Sequence, residues 1–122
     1  MPNPRHELGE RAEAAVAEWL TARGWTLLAR RWRCTEGELD LVAYDPHLTL
    51  VAVEVKLRQT GRAGLPLESI DRHRLRRLRS ALGHFAATRR QGVSGLRIDL
   101  VAVSTADNGL WRLAHHPGID AW

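Results

Sequence analysis

What this chain has little of narrows it first. Its 122 residues hold one cysteine, Cys34, so neither an internal disulfide nor a cysteine-built zinc cluster can be drawn. That thiol reads as a small, partly buried side chain. No apolar run is long enough for a spanning helix or a signal-peptide core, which sets the expectation of a soluble, cytoplasmic protein without a membrane partner. There are no repeats, low-complexity tracts or interdomain linkers, and the length suits one core, so 1–122 reads as a single domain. Lysine is nearly missing: of 18 basic residues 17 are arginine, and the other is Lys56. In a chain that writes arginine almost everywhere, one retained lysine suggests a place for a compact ammonium that a planar, always-charged guanidinium cannot fill. Chance would also leave one lysine somewhere, so its neighbours have to decide.

The formal charge of +4 and a pI near 10.5 favour a polyanionic partner. Along the chain, Leu8, Ala12, Ala15, Val16, Trp19 and Leu20 recur at helical spacing between His6 and Arg23, with Gly24 as the stop. Trp25 to Trp32, Leu39 to Tyr44 and Leu50 to Leu57 read as strands, the last two joined by the Asp45-Pro46 turn into an antiparallel hairpin. Gln59 to Pro66 is a glycine-containing loop. Ser69 or Asp71 can cap a second helix with the core stripe Leu75, Leu78, Leu82 and Phe85, ending near Gly92. Leu96 to Ser104 and Leu110 to His115 follow as strands around an Asn108-Gly109 turn. The order αβββαββ implies an α/β layer structure.

Because side chains alternate across a strand, Glu38 and Asp40 share one face of the second strand, and Glu54 and Lys56 one face of the third. In the hairpin Asp40 falls nearly opposite Glu54. Two carboxylates and an ammonium on one sheet face suit a hard cation and a phosphate. Mg²⁺ or Mn²⁺ would take Asp40 and Glu54, with the Val55 carbonyl as a third ligand, since such ions keep several waters and need few protein oxygens. Lys56 would orient or deprotonate the attacking water and offset charge on the phosphorane. The same pattern also describes a solvated strand face with weak ion pairs.

The segments Gly37-Glu38-Leu39-Asp40-Leu41-Val42 and Val53-Glu54-Val55-Lys56, with thirteen residues between Asp40 and Glu54, resemble the D…ExK signature of the PD-(D/E)xK nuclease superfamily. More closely, the chain from about Leu8 onward resembles the YraN-type family of small bacterial proteins. The match includes the pattern from Glu13 to Leu20 with Gly24, Arg58 after the Val-Glu-Val-Lys strand, Gly64, Pro66 and Glu68 in the loop, and Arg97-Ile98-Asp99. The resemblance implies a restriction-endonuclease-like three-layer fold with a mixed central sheet flanked by helices. It implies Asp40 and Glu54 as metal carboxylates, Lys56 as the catalytic lysine, and Glu13 and Glu38 as further candidate ligands. Ala12, Val16 and Arg74 depart from the family pattern. Arg74 stands where a lysine is usual, and holding phosphate is the task its guanidinium suits. Glu13 lies toward the inner side of the first helix, where a carboxylate needs a partner or a metal.

The second helix carries Arg72, Arg74, Arg76, Arg77 and Arg79 beside its apolar stripe, and with Arg58 these are the candidate nucleic-acid contacts. Such a face neutralises backbone phosphates without reading bases. The tryptophans Trp19, Trp25 and Trp32 read as packing, and the adjacent His115 and His116, pointing to opposite faces, as non-ligands. The leading expectation is a metal-dependent endonuclease on DNA, preferred to RNA, that selects structured substrates by shape. A homodimer would suit two-strand cleavage. The alternatives are a nucleic-acid-binding module of the same fold that acts through a protein partner, and an interaction protein whose charged strand face is structural.

Overall fold

A computed structural model describes residues 4–58, 70–89, 94–105 and 108–120. The first helix, α1 (Pro4–Ala22), starts two residues before the expected position. It turns Ala12, Val16, Ala17 and Leu20 inward, and the two alanines let it lie close on its neighbour. Its chain reversal needs Gly24 at φ +90°, where Trp25 N–H closes back on the Leu20 carbonyl at 3.1 Å.

Three strands follow, β1 (Thr26–Cys34), β2 (Gly37–Tyr44) and β3 (Leu50–Arg58). The turn between β2 and β3 is built on Asp45, whose Oδ1 accepts from the backbone of His47 and Thr49 at 2.9 Å each. Asp71, the second of the two expected caps, starts α2 (Arg72–Ala87), its carboxylate accepting the Arg74 N–H at 2.8 Å. A cap of this kind is worth about 1 kcal/mol. Helix α2 stops at Ala87, earlier than expected. Thr88 folds both its N–H and its hydroxyl onto the Phe85 carbonyl. Gly92, Ser69 and the expected loop from Gln59 to Pro66 lie outside the described residues. Strand β4 (Leu96–Thr105) leads to β5 (Trp111–His116), one residue later than the spacing implied.

The five strands form one sheet in the order β1-β2-β3-β4-β5. Only β3 and β4 run parallel, as a connection through α2 requires, and the other pairs are antiparallel. Alternation then sorts the core. Val42, Leu50, Ala52, Ile98 and Leu100 meet Leu75, Leu78, Leu82 and Phe85 of α2. Leu41, Ala43, Val51, Val53, Val101 and Val103 meet α1 and Trp25 on the other face. The fold is therefore the mixed sheet between helices that the sequence implied. Trp19, Trp25, Trp32 and Trp111 pack against these clusters, Trp32 edge-on to Phe85 at 5.2 Å between centroids. No helix is long and apolar enough to cross a membrane among the described residues.

One charge cluster braces this frame. Asp99, fully buried at the start of β4, accepts from Arg97 Nε at 2.7 Å and Gly118 N–H at 2.9 Å on one oxygen, and meets Arg97 Nη2 and His115 Nε2 on the other. Arg97 also reaches Asp45 Oδ2 at 2.9 Å, tying the β2–β3 turn to β4. Burial alone would raise the Asp99 pKa, but the His115, Arg97 and Gly118 donors together hold it below the ordinary range. Asp99→Asn turns an amide N–H₂ toward one of those donors and should cost about 3 kcal/mol in urea unfolding at neutral pH. Because the native carboxylate is held low, its contribution is complete at neutral pH. The wild-type advantage should shrink as the pH falls below the ordinary carboxylate range, and an advantage constant down to acid would contradict this account.

Candidate functional site

The β2–β3 ladder runs from the turn only as far as Leu41 opposite Val53. Beyond that point β2 stays paired with β1 while β3 stays paired with β4, so the two central strands part. The next residues are Asp40 and Glu54. Into the gap Asp40 places its carboxylate, and Oδ2 accepts the Val55 N–H at 2.9 Å, a side chain taking the place of the missing strand partner. Since the N–H and C=O of one strand residue point to the same side, the Val55 carbonyl also faces the parted edge. The Asp40 carboxylate and the Val55 backbone are thus brought together at the parted edge.

Glu54 is buried, its side chain 4 % exposed, on the face that α2 covers. Its Oε1 receives Arg74 Nη2 from the first turn of α2 at 2.6 Å. Burial, then repulsion from Glu54, pushes the Asp40 pKa up to about 7, and the Val55 N–H offsets only part of this. Two neighbouring carboxylates, one of them pushed toward neutrality, form a set short of positive charge, which is the situation a hard divalent cation relieves. Among the described residues no third His, Cys, Asp or Glu completes a cluster with them. The residues present therefore suit Mg²⁺ or Mn²⁺ held by Asp40, Glu54 and the Val55 carbonyl. Lys56 follows two positions after Glu54 on the same strand face, half-buried and without an ion pair to a described residue.

The other sequence candidates are distributed differently. Glu13 sits in the groove between α1 and β1, on the side of the sheet away from α2, and its partner is Arg31 Nε at 2.9 Å. The partner that its inward position demanded is thus an arginine of β1. Glu38 pairs across the strands with Arg33 at 2.7 Å and, with Arg74, lines a recess of about 30 Å³. The arginines of α2 do not act as one stripe. Arg72 and Arg76 are exposed, while Arg77 donates to the Glu36 carbonyl at 3.2 Å and Arg79 is drawn to Asp120. Arg58, at the end of β3, has a buried Nε without an acceptor among the described residues, and so has Arg74. The Arg74–Glu54 contact was not foreseen, although Arg74 precedes the inward-facing Leu75 and so had to border the sheet.

The strained carboxylate makes a pH-dependent prediction. With a folded pKa above the unfolded value, ionised Asp40 opposes folding most above neutrality, and the penalty fades as the pH falls toward the ordinary carboxylate range. Asp40→Asn, which keeps an oxygen for Val55 N–H, should stabilise the metal-free protein by about 1–2 kcal/mol near pH 8 and by much less near pH 5. Equal effects at both pH values in thermal unfolding would show that the carboxylate is not strained.

Residues 12–103 match the model of an uncharacterised protein family, UPF0102. Similar curated proteins include the UPF0102 protein of Leifsonia xyli subsp. xyli, 38% identical over 115 residues, covering 94% of this chain and 97% of that one. That of Beutenbergia cavernae is 40% identical over 112 residues, covering 92% and 94%. That of Methylococcus capsulatus is 46% identical over 102 residues, covering 83% and 80%. The matched span contains Glu13, Asp40, Glu54, Lys56, Arg74 and Asp99. The chain belongs to the UPF0102, or YraN-type, family.

Proposed function

We propose that this protein is a metal-dependent endonuclease of the PD-(D/E)xK type, hydrolysing phosphodiester bonds of structured DNA. The observation that supports the reading is the parting of β2 from β3 at Asp40 and Glu54, where Asp40 accepts the Val55 N–H and Lys56 follows two residues after Glu54. When bound, a divalent cation supplies Lewis acidity for the phosphoryl oxygen and lowers the pKa of water. The chain's own residues do the rest. Asp40 and Glu54 set the direction from which a phosphate can approach. The Lys56 ammonium, next on that face and free of ion pairs with described residues, orients the attacking water and balances charge building on phosphorus. Exposed Arg72 and Arg76 hold backbone phosphates beyond the scissile one. Nothing among these contacts reads a base edge, so selection by shape follows, and DNA is the favoured polymer.

A panel of linear, nicked, flapped and four-way-branched DNA and of RNA, incubated with Mg²⁺, Mn²⁺ or chelator, tests this directly. Metal-dependent products are expected from the wild type, with Asp40→Ala and Lys56→Arg reducing cleavage at least a hundredfold while folding and DNA affinity stay largely intact; losses of this size accompany removal of one transition-state contact, on the order of 10²–10³ in rate. Full activity in Lys56→Arg would remove the proposed role of the lysine.

A second reading, a binding module of the same fold that acts through a partner, is favoured by one observation: an arginine already sits on Glu54. Salt-sensitive binding without cleavage of any substrate would select it. Both readings share a binding prediction. Replacing Arg72 and Arg76 together by alanine should lower the slope of log affinity against log salt by about two. Arg79→Ala should change it less, because Asp120 holds that guanidinium. Equal slopes for all three proteins would place the DNA on another surface.

A further inference from the structure

The contact between Arg74 and Glu54 is an unusual resting partnership. The guanidinium reaches Glu54 through a single nitrogen, Nη2 at 2.6 Å, and not in the paired geometry that makes arginine–carboxylate contacts strong. Its Nε is buried without an acceptor among the described residues, which costs stability. Among the described residues the one other buried side-chain polar atom in this condition is Nε of Arg58. Arg58 stands two positions past Lys56 on the same strand, as Glu54 stands two before it, so alternation sets all three on one face. Glu54, which holds Arg74, and Arg58 thus stand two positions to either side of Lys56, and neither arginine Nε has an acceptor among the described residues.

The missing acceptor has a definable chemistry. It must carry several oxygens, to serve donors from two sides, and negative charge, to compete with a carboxylate for a guanidinium. A phosphate of a nucleic-acid backbone fits both requirements, and the planar fork of arginine matches it. Arg74 is able to change partners without any change of fold. Its backbone N–H is fixed by Asp71 at 2.8 Å, while its side chain is 43 % exposed and can swing at its tip.

Charge favours the exchange. Counting the groups in contact, two carboxylates exceed one guanidinium by a single negative charge. A divalent cation placed beside an unmoved Arg74 would overshoot by one positive charge, and both cations would crowd Glu54, which is buried and has little water to screen them. An arriving phosphate supplies the charge that restores balance and the acceptor that Arg74 Nε lacks.

We propose that Arg74 is the resident counter-ion of the carboxylate pair, and that it releases Glu54 to a divalent cation when a backbone phosphate takes its guanidinium, so that metal and nucleic acid load cooperatively. This rests on the metal reading of Asp40 and Glu54 given above. By linkage the coupling is reciprocal: DNA tightens metal binding by the factor by which metal tightens DNA binding. The device keeps Glu54 paired with an arginine of the chain until substrate is present.

Direct binding of Mn²⁺ tests it without recourse to turnover. The paramagnetic resonance of free Mn²⁺ reports its dissociation constant for the wild type, Arg74→Gln, Arg74→Lys and Glu54→Gln. Each is measured alone and with a four-way-branched phosphorothioate DNA, and uptake by the DNA itself is subtracted. The wild type should bind Mn²⁺ about tenfold more tightly with DNA present, within the usual range of coupling between sites. Arg74→Gln should bind it several-fold more tightly than the wild type without DNA, and should gain less than about twofold from DNA. Arg74→Lys, which keeps the charge but not the fork, should fall between the two. Thermal unfolding of each variant confirms that it is folded. The proposal is overturned if Arg74→Gln binds Mn²⁺ no more tightly than the wild type, or if its gain from DNA equals that of the wild type. Either result leaves the metal site standing, provided that Glu54→Gln abolishes binding. Mn²⁺ binding that is absent from the wild type, or unaffected by Glu54→Gln, overturns the metal reading and this proposal with it.

Discussion

Strand β3 is covered on both faces and, as far as Val53, paired on both edges, and that double enclosure governs the rest of the molecule. Every residue from Leu50 to Glu54 is buried, the odd positions under α1 and the even positions under α2. Apolar side chains satisfy this setting through Val53. Glu54 does not, and the fold has to answer a carboxylate at the centre of its sheet with whatever positive or hydrogen-bonding group can reach it. The answer is local. The ladder to β2 stops one residue earlier, Asp40 takes over the Val55 N–H, and the first turn of α2 sends in Arg74.

The protein solves the same problem twice, with opposite results. At the start of β4, Asp99 is surrounded by four donor contacts from Arg97, His115 and Gly118, and its charge is held firmly in place. At the parted strands, Asp40 has one backbone donor and a second carboxylate for a neighbour, and its charge is opposed. A chain able to build the first arrangement could have built the second in the same way. Two arginine nitrogens left without acceptors among the described residues cost stability, and such costs accumulate where a surface is shaped for something that is not part of the chain. That contrast is the physical basis for proposing a functional role for Asp40 and Glu54 and a structural one for Asp99.

The helices contribute unequally to the site. Helix α1 supplies small residues for close packing and uses Glu13 and Glu10 to anchor Arg31 of β1, so its acidic side braces the outer strand. Helix α2 is both a lid on the core and a source of arginines with separate tasks. Arg77 and Arg79 bind carbonyls of neighbouring segments, Arg74 enters the site, and Arg72 and Arg76 stay in solvent. A helix face that composition presents as uniformly basic is thus divided by what lies opposite each position.

Much of this was legible in the sequence. Periodicity placed both helices and all five strands to within a few residues, because 3.6 and 2 are distinct repeats and the apolar positions follow them closely. Alternation with the Asp45-Pro46 turn also placed Asp40 opposite Glu54, since a hairpin has only its register to choose. The resemblance carried by the Asp40, Glu54 and Lys56 segments named the family. What one dimension could not give was which charged groups meet across layers. That Glu13 answers Arg31, that Arg79 answers Asp120 and that Arg74 reaches Glu54 depends on how the helices lie on the sheet. The Asp99 network gathers residues from the β2–β3 turn, β4, β5 and the segment after it, which no spacing rule connects. The sequence by itself determined the elements and the faces they bury, because backbone geometry ties each to local pattern. Only the tertiary structure decided the partners of the buried charges, because burial removes water and leaves each ion to whichever group the packing brings within reach.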